Sequence, residues 1–403
     1  MSRRIAITGL GVLSPIGIGH RRFWQQLTAG TIGTGDIKKF DTSIFDFHKG
    51  GEVDHFEPED YFRVLDPMRC GRTTQLAVAA ARLASDDSGF DHSGYDSERV
   101  SICMGTTMGN QSVIEDHNDH VTKGHTPLNP ESVSHYSPVY ITSAIAREIG
   151  AGGPSMVFPT ACAAGNYAIG WGADLIKDGQ ADIAIVGGAD AISRGCFAVF
   201  HRLGAIAPDV CQPFDANRKG MMVSEGAGAI VLEDYDAAVK RGATIYAELL
   251  GYGLACDAHH PTAPHPKGLG AQWAMRRALA EANLDEMEIS YISAHGTGTR
   301  ANDSSESFSV RNLLGDNADR IPVSSIKSML GHTMGAASAI EAVACTLAIY
   351  YSVLPPTMNY QEPDLECLQN VVPNKAVSHP VNIALSNSFA FGGNISTIIM
   401  GSV

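Results

Sequence analysis

The sequence predicts an α/β protein built on a large buried sheet, and three observations predict it. Strand-like apolar runs alternate with alanine-rich helical stretches along the chain, the pattern of strands covered by helices on both faces. The alternation can be traced as two comparable halves. The residues best suited to chemistry fall where strands end, which is where open α/β sheets bind their ligands. With 403 residues, 44% of them hydrophobic, the chain can bury a sizeable core in one two-lobed unit or two domains.

In the first half, residues 5–8, 100–103, 183–186 and 229–232 read as core strands, and buried parallel pairing is expected of them. Thr8-Gly9-Leu10-Gly11 has two glycines of a dinucleotide loop, but Ser14 and Pro15 follow where a third is needed. A lone Gly-x-Gly is weak evidence. Segment 111–140, rich in His, Asn, Pro and Ser, reads as a long irregular insertion. Next, an apolar strand ending at Phe158 runs through a tight turn into a small-residue helix over 162–177. In the second half, 246–250, 291–293, 382–385 and 397–400 read as strands, with helices over 269–282 and 335–351. Pro355-Pro356 is expected to stop the last helix. The halves are divided as 1–245 and 246–403.

The turn into the first of these helices holds the most informative residue, Cys162, within Phe158-Pro159-Thr160-Ala161-Cys162-Ala163-Ala164-Gly165. A cysteine at a helix start meets unpaired N–H groups and the positive end of the dipole, which favour thiolate. Most cysteines so placed are buried and inert. Two histidine motifs shift the balance. Ser293-Ala294-His295-Gly296-Thr297-Gly298-Thr299 presents His295 from a strand end on a glycine-flanked loop. Ser325-Ile326-Lys327-Ser328-Met329-Leu330-Gly331-His332 leads into an alanine-rich helix, placing His332 where the dipole disfavours imidazolium. A nucleophile with two such histidines is the constellation expected of an active site.

With these motifs on the page, the chain resembles the elongating β-ketoacyl-acyl-carrier-protein synthases of type II fatty acid and polyketide synthesis. The resemblance runs from Arg4-Ile5-Ala6-Ile7-Thr8-Gly9 and Phe23-Trp24 through Gly153-Pro154-Ser155 and the Cys162 motif. It continues through Pro213-Phe214-Asp215 and Glu225-Gly226-Ala227-Gly228 to both histidine motifs and Asn387-Ser388-Phe389-Ala390-Phe391-Gly392-Gly393. It implies the thiolase-like five-layer αβαβα fold. It also implies that Cys162 takes an acyl chain from a carrier-bound phosphopantetheine arm, and that malonyl thioester then loses its carboxylate and attacks as an enolate. A thiolate is the natural nucleophile for moving acyl groups between thiols.

By the same resemblance, neutral His295 and His332 hydrogen-bond the enolate oxygen, and the N–H groups of Cys162 and Phe391 bind the tetrahedral intermediate. Lys327 and Glu341 form a charged pair near His332, with Glu306 a structural member of the network. Thr297 and Thr299 are assigned to the pantetheine amides, although Thr-Gly-Thr also serves as ordinary turn chemistry. Met108 and Phe389 are assigned to the acyl and substrate cavity, though methionines more often fill core gaps.

The resemblance implies no cofactor belonging to the chain itself, because phosphopantetheine arrives on the acyl carrier protein. It implies a homodimer, or a heterodimer with a chain-length-factor-like homologue. Two departures stand out. The usual Gly-Phe-Gly-Gly gate reads Ala390-Phe391-Gly392-Gly393, which puts gate flexibility in question. Basic positions on the carrier-facing surface are thinned, leaving Arg63, Arg69, Arg72 and Arg202 as docking candidates. A non-catalytic chain-length-factor-like partner is the first alternative, disfavoured by Cys162, His295, His332 and Lys327. A thiolase or initiating synthase is the second, disfavoured because those sites replace one histidine.

Composition excludes other classes. A net charge of −14 argues against nucleic acid or anionic membrane as partner. No apolar run of roughly 18 residues and no signal core near Met1 is evident, so a cytoplasmic protein is expected. The eight cysteines are scattered without a C-x-x-C pair, against a zinc site or disulfide framework. His117 and His120 beside Asp116 and Asp119, and His259, His260 and His265, are weak metal candidates better read as solvated loops. No metal is expected.

Overall fold

The computed structural model describes residues 3–90, 94–124 and 134–403. Its ten main strands are β1 (Ile5–Ser14), β2 (Val100–Gly105), β3 (Ser155–Phe158), β4 (Ile183–Asp190), β5 (Gly226–Asp234), β6 (Ala247–Cys256), β7 (Tyr291–Ser293), β8 (Val323–Ser324), β9 (Ile383–Phe389) and β10 (Asn394–Gly401). They join one sheet in the order β8-β7-β9-β10-β6-β1-β5-β4-β2-β3. Each set of five repeats one path, third strand, second, fourth, fifth, first. The halves meet where β1 and β6 pair antiparallel over three residues, Ile5 to Ile7 against Leu249 to Ala247.

The strands predicted from apolar runs all overlap these elements, with 246–250 and 382–385 each beginning one residue before the observed strand. The expectation of parallel pairing needs correction, because the sheet is mixed. β2 pairs parallel with β3 and β4, and β7 with β8 and β9. β1, β5, β6 and β10 run antiparallel to their neighbours. Burial on both faces erases the period-2 signal in either arrangement, so composition could not distinguish them.

The helices that make the layers are α1 (Arg72–Ser88), α2 (Gln111–Thr122), α3 (Val139–Ile149), α4 (Ala164–Lys177), α5 (Arg194–Arg202), α6 (Leu269–Ala282), α7 (Arg300–Leu314) and α8 (Ala337–Tyr351). Helices α1 and α3 cover the outside of the first half-sheet, and α6 and α7 the outside of the second. Helices α4 and α8 pack against each other between the two half-sheets, in a core with residues from both. The result is five layers, αβαβα.

Glycines explain how tightly the outer helices sit. A Cβ on Gly9 or Gly11 of β1 would collide with the carbonyl oxygens of Ala84 and Ala80 in α1. In the second half, Gly253 and Gly251 of β6 face the carbonyls of Ala274 and Ala278 in α6 in the same way. The Thr8-Gly9-Leu10-Gly11 run is therefore strand interior where a helix backbone approaches, and it forms no nucleotide loop.

Segment 111–140 also departs from expectation. Residues 111–122 form α2, held to the start of α5 by Glu115, which accepts from the N–H groups of Arg194 and Gly195, and by an Asp119–Arg194 ion pair. Tyr140 belongs to α3, while residues 125–133 lie outside the described residues. Helix α8 ends at Ser352, which adopts a left-handed conformation (φ 53°), before either proline. The stretch Met334–Tyr351 is long and apolar enough to cross a membrane, contrary to the reading of the sequence, but 89% of it is buried in the protein. It is the central core helix.

Candidate active site

The repeated strand order puts Cys162 and His332 in equivalent places. Cys162 lies in a one-turn 3-10 segment (Ala161–Ala163) between β3 and α4, and His332 in the turn between β8 and α8. Because α4 and α8 pack together, the two turns converge. The Nε2 of His332 is 3.0 Å from the Sγ of Cys162. Ala161 before Cys162 and Met334 after His332 are both left-handed, at φ 51° and 53°. Such backbone is costly for a side-chain-bearing residue and persists only where surrounding structure enforces it.

His295 follows β7, its ring centroid 5.4 Å from that of His332. The carboxylate of Glu306, on α7, accepts the N–H groups of His295 and Gly296, each at 2.8 Å. Ser388 donates its hydroxyl to the Cys162 carbonyl at 2.8 Å, fixing the Cys162 peptide. Asp190, at the end of β4, accepts from the Thr106 hydroxyl and from the N–H groups of Thr107, Met108 and Gly335. It ties the loop after β2 to the turn carrying His332. The sequence reading gave no role to Asp190 or Ser388. The only hint was that each stands at the end of an apolar strand.

Burial sets the electrostatics. It pushes the Cys162 thiol up to about 12, with the Lys327 ammonium opposing. This corrects the expectation of a thiolate stabilised at a helix start. Cys162 precedes α4 by two residues and is almost fully buried, and the cost of desolvating a charge exceeds the benefit of the dipole. Burial, and then the Lys327 ammonium, hold both histidines well below the usual imidazole value, with His332 a further cause for His295. A neutral imidazole beside a neutral thiol can accept its proton as the sulfur attacks.

Lys327 and Glu341 form a fully buried ion pair. The Lys327 ammonium also lies 3.3 Å from His295 Nδ1. The expected neighbour of the pair was His332, and the structure puts its direct contact on His295. An ammonium can only donate, so His295 Nδ1 is the acceptor and its proton sits on Nε2. The tautomer with a donor at Nε2 is thereby fixed. His332 Nδ1 has no partner among the described residues. Burial pushes Glu341 up to about 7, against the pull of Lys327, and Glu306 also to about 7.

A cavity of about 360 Å³ opens from Cys162, His295 and His332 and is also lined by Thr297, Thr299, Phe389 and Phe391. The hydroxyls of Thr297 and Thr299 are 2.9 Å apart. Met108 is not on this wall. It packs into an apolar cluster with Phe197, Phe200, Met221 and Met334, which Phe391 also contacts. Phe391 stacks at a tilt on Phe200, centroids 5.6 Å apart. Ala390 is extended, with φ −128°, so alanine there costs nothing in backbone strain. Gly392 and Gly393, at φ 79° and 77°, are the glycines that the loop requires.

The four docking candidates are not gathered together. Arg63 and Arg69 are exposed beyond the cavity lining. Arg72 is turned inward, pairing with buried Glu225 at 2.9 Å and lying over the Phe56 ring. Arg202 is exposed and adjoins Leu203, Gly204 and Ala205, which do line the cavity. No group of three or more His, Cys, Asp or Glu able to hold a metal occurs among the described residues, and all eight cysteines are unpaired.

Comparison with known proteins decides the family. Residues 2–238 match the family described as "Beta-ketoacyl synthase, N-terminal domain" and residues 246–361 match "Beta-ketoacyl synthase, C-terminal domain". This chain is a member of the β-ketoacyl synthase family. It is therefore a condensing enzyme, and its αβαβα layers are the thiolase-like fold. It is 39% identical over 415 residues to the tetracenomycin polyketide synthase ketoacyl synthase alpha subunit of Streptomyces glaucescens, covering 99% of this chain and 97% of that one. To 3-oxoacyl-[acyl-carrier-protein] synthase 2 of Synechocystis it is 38% identical, covering 98% and 97%. Among solved structures, the ishigamide ketosynthase/chain length factor matches with a TM-score of 0.97 at 43% identity, covering both chains completely. A type II polyketide ketosynthase in complex with its acyl carrier protein and bound to a hexaketide matches at 0.93 and 32% identity, again over both whole chains.

Proposed function

We propose that this β-ketoacyl synthase elongates acyl chains carried on an acyl carrier protein, in fatty acid or type II polyketide synthesis, with Cys162 as the acylated residue. The observation that carries the assignment is the 3.0 Å contact between Cys162 Sγ and His332 Nε2, at the inner end of a cavity that also holds His295. The thiol attacks the acyl thioester as its proton passes to His332 Nε2 and from there to the departing carrier sulfur, forming an acyl-Cys162 thioester and releasing the carrier thiol. Malonyl thioester then enters, and loss of CO₂ leaves an enolate whose oxygen accepts from His295 Nε2–H and, once its ring proton has shifted from Nδ1 to Nε2, from His332. The enolate carbon attacks the acyl carbonyl. The Cys162 and Phe391 N–H groups hold the developing oxyanion, and Cys162 leaves as the β-ketoacyl product forms. Lys327 positions His295 and is itself neutralised by Glu341.

Thr297, Thr299 and Phe389 line the route of the pantetheine arm, and Met108 the apolar cluster behind Phe391. The division at 245/246, with Cys162 in one half and both histidines in the other, is part of the proposal and is supported by the repeated strand order. The chain needs no cofactor of its own, since the arm arrives on the carrier, and works in the cytoplasm. It assembles as a homodimer or with a chain-length-factor-like homologue. In support, β3 ends the sheet with an unpaired edge, where Met156 and nearby Trp171 are 44% and 43% exposed. Such an edge invites pairing with a second chain.

Intact mass spectrometry after incubation with acyl-carrier and then malonyl-carrier tests the reading. An acyl adduct on Cys162 that disappears as the β-ketoacyl carrier forms is the expected result. A wild-type chain that never acquires the adduct would be the non-catalytic partner instead.

A further inference from the structure

The cavity that opens from Cys162 has a single permanent cation on its wall among the described residues. Its wall includes Thr299, Arg300, Ala301 and Asn302 at the start of α7, and Arg300 is the only lysine or arginine on it. The residue is exposed, and among the described residues its guanidinium makes no ion pair or hydrogen bond with another side chain. Only its backbone oxygen is used, as an acceptor for Arg218. Its charge reaches Asp364, lowering that carboxyl after Arg218 has already paired with it. The one carboxylate in the lining, Asp257, is occupied by the N–H groups of His265 and Gly270.

An exposed arginine on the wall of a substrate cavity, with no ion pair or side-chain hydrogen bond among the described residues, presents a planar set of donors suited to phosphate oxygens. The same wall carries Thr297 and Thr299 and is mostly apolar, which fits a neutral amide-bearing chain with an anion at its outer end. We propose that Arg300 binds the phosphodiester of the phosphopantetheine arm, fixing the depth to which the arm enters so that its thioester carbon meets Cys162 Sγ. The inference rests on the carrier-fed reaction proposed above and adds to it a residue outside the docking arginines. Arg300 acts on the prosthetic group, and the carrier's protein surface is not what it reads.

Three donors of the same acyl group separate these possibilities: acyl carrier protein, free acyl-phosphopantetheine, and acyl-pantetheine, which lacks the phosphate. The readout is the rate of acyl adduct formation on Cys162 by intact mass. Arg300→Ala should lower kcat/KM about tenfold, through KM, for both phosphate-bearing donors, in keeping with loss of one charge-assisted contact. The pantetheine donor should react at the wild-type rate, which also shows that the variant is folded. Arg300→Lys should recover most of the loss and Arg300→Glu should deepen it. A loss confined to the carrier donor would place Arg300 on the protein interface and overturn the proposal. Equal loss with all three donors, or none with any, would overturn it too. Failure of the wild-type chain to be acylated by any donor would instead remove the condensing reaction on which it stands.

Discussion

His332 and Cys162 occupy equivalent turns of the two halves, each between a third strand and a central helix, and their side chains meet with Nε2 3.0 Å from Sγ. His295, whose Nδ1 faces the Lys327 ammonium, stands beside them in the loop after β7, the second strand of its half. The histidines therefore differ in what they can do. One can take the thiol proton, while the other is held as an Nε2–H donor.

The difference predicts a split between the two half-reactions. His295→Ala should leave acylation of Cys162 intact and reduce malonyl decarboxylation by ~10²–10³, the usual cost of removing an oxyanion donor. His332→Ala should slow both steps, because a thiol pushed up to about 12 loses its only close base. Acylation followed by intact mass, and decarboxylation followed by CO₂ release, separate the two. Identical profiles for the two variants would contradict the assignment.

The same geometry gives the steps different pH dependences. His332 is held well below its ordinary value, so it stays neutral near pH 7 and takes up a proton only at lower pH. Acylation by an uncharged pantetheine thioester should then vary less than twofold between about pH 6 and 8. Glu341 is raised from 4.5 to about 7, so it gains its proton as pH falls through 7. The Lys327 charge that orients His295 then loses its counter-ion, and decarboxylation should decline over that interval. A matching decline in acylation would mean that the Cys162–His332 pair itself titrates there.

The grouping of Cys162, His295 and His332 was legible in the sequence because each sits in a turn between an apolar strand and a small-residue or glycine-bounded segment. Strand cores were legible for the same reason, being continuous apolar runs. What escaped depends on contacts between distant segments. Arg72 carries the same charge as Arg202, yet its place at the start of α1 aims it at Glu225, 153 residues away. The polar run 111–122 becomes a helix through Glu115 and Asp119 meeting the start of α5. Asp190 gathers its hydrogen bonds from two separate loops, which no local pattern encodes. The mixed strand directions were hidden because burial of both faces looks alike in either direction.

Lys327 and Glu341 should behave as a unit in stability but not in catalysis. Removing one partner leaves an uncompensated buried charge, which costs about 3–5 kcal/mol, so Lys327→Met or Glu341→Leu alone should lower Tm sharply. The double substitution replaces the pair by apolar groups of similar size and should recover most of the stability. Decarboxylation should stay low in the double variant, since His295 Nδ1 has lost its donor. Recovery of both properties would show that the pair is only structural.

The last prediction concerns the proposed docking of the carrier on an enzyme with a net charge of −14. Arg63, Arg69 and Arg202 are exposed, whereas Arg72 neutralises buried Glu225 and stacks on Phe56. Arg72→Ala should therefore lower Tm by several degrees and reduce activity equally with carrier-bound and pantetheine donors, as expected when a buried carboxylate loses its partner. Arg202→Ala, next to residues 203–205 of the cavity wall, should leave Tm unchanged and raise KM for the carrier-bound donor alone. Adding Arg63→Ala should enlarge that effect, and more so at low salt, where exposed charges act over a longer range. Thermal unfolding together with KM measured at two ionic strengths checks both arms. A salt-dependent, carrier-only defect in Arg72→Ala would return that residue to the docking surface and leave Glu225 in need of another partner.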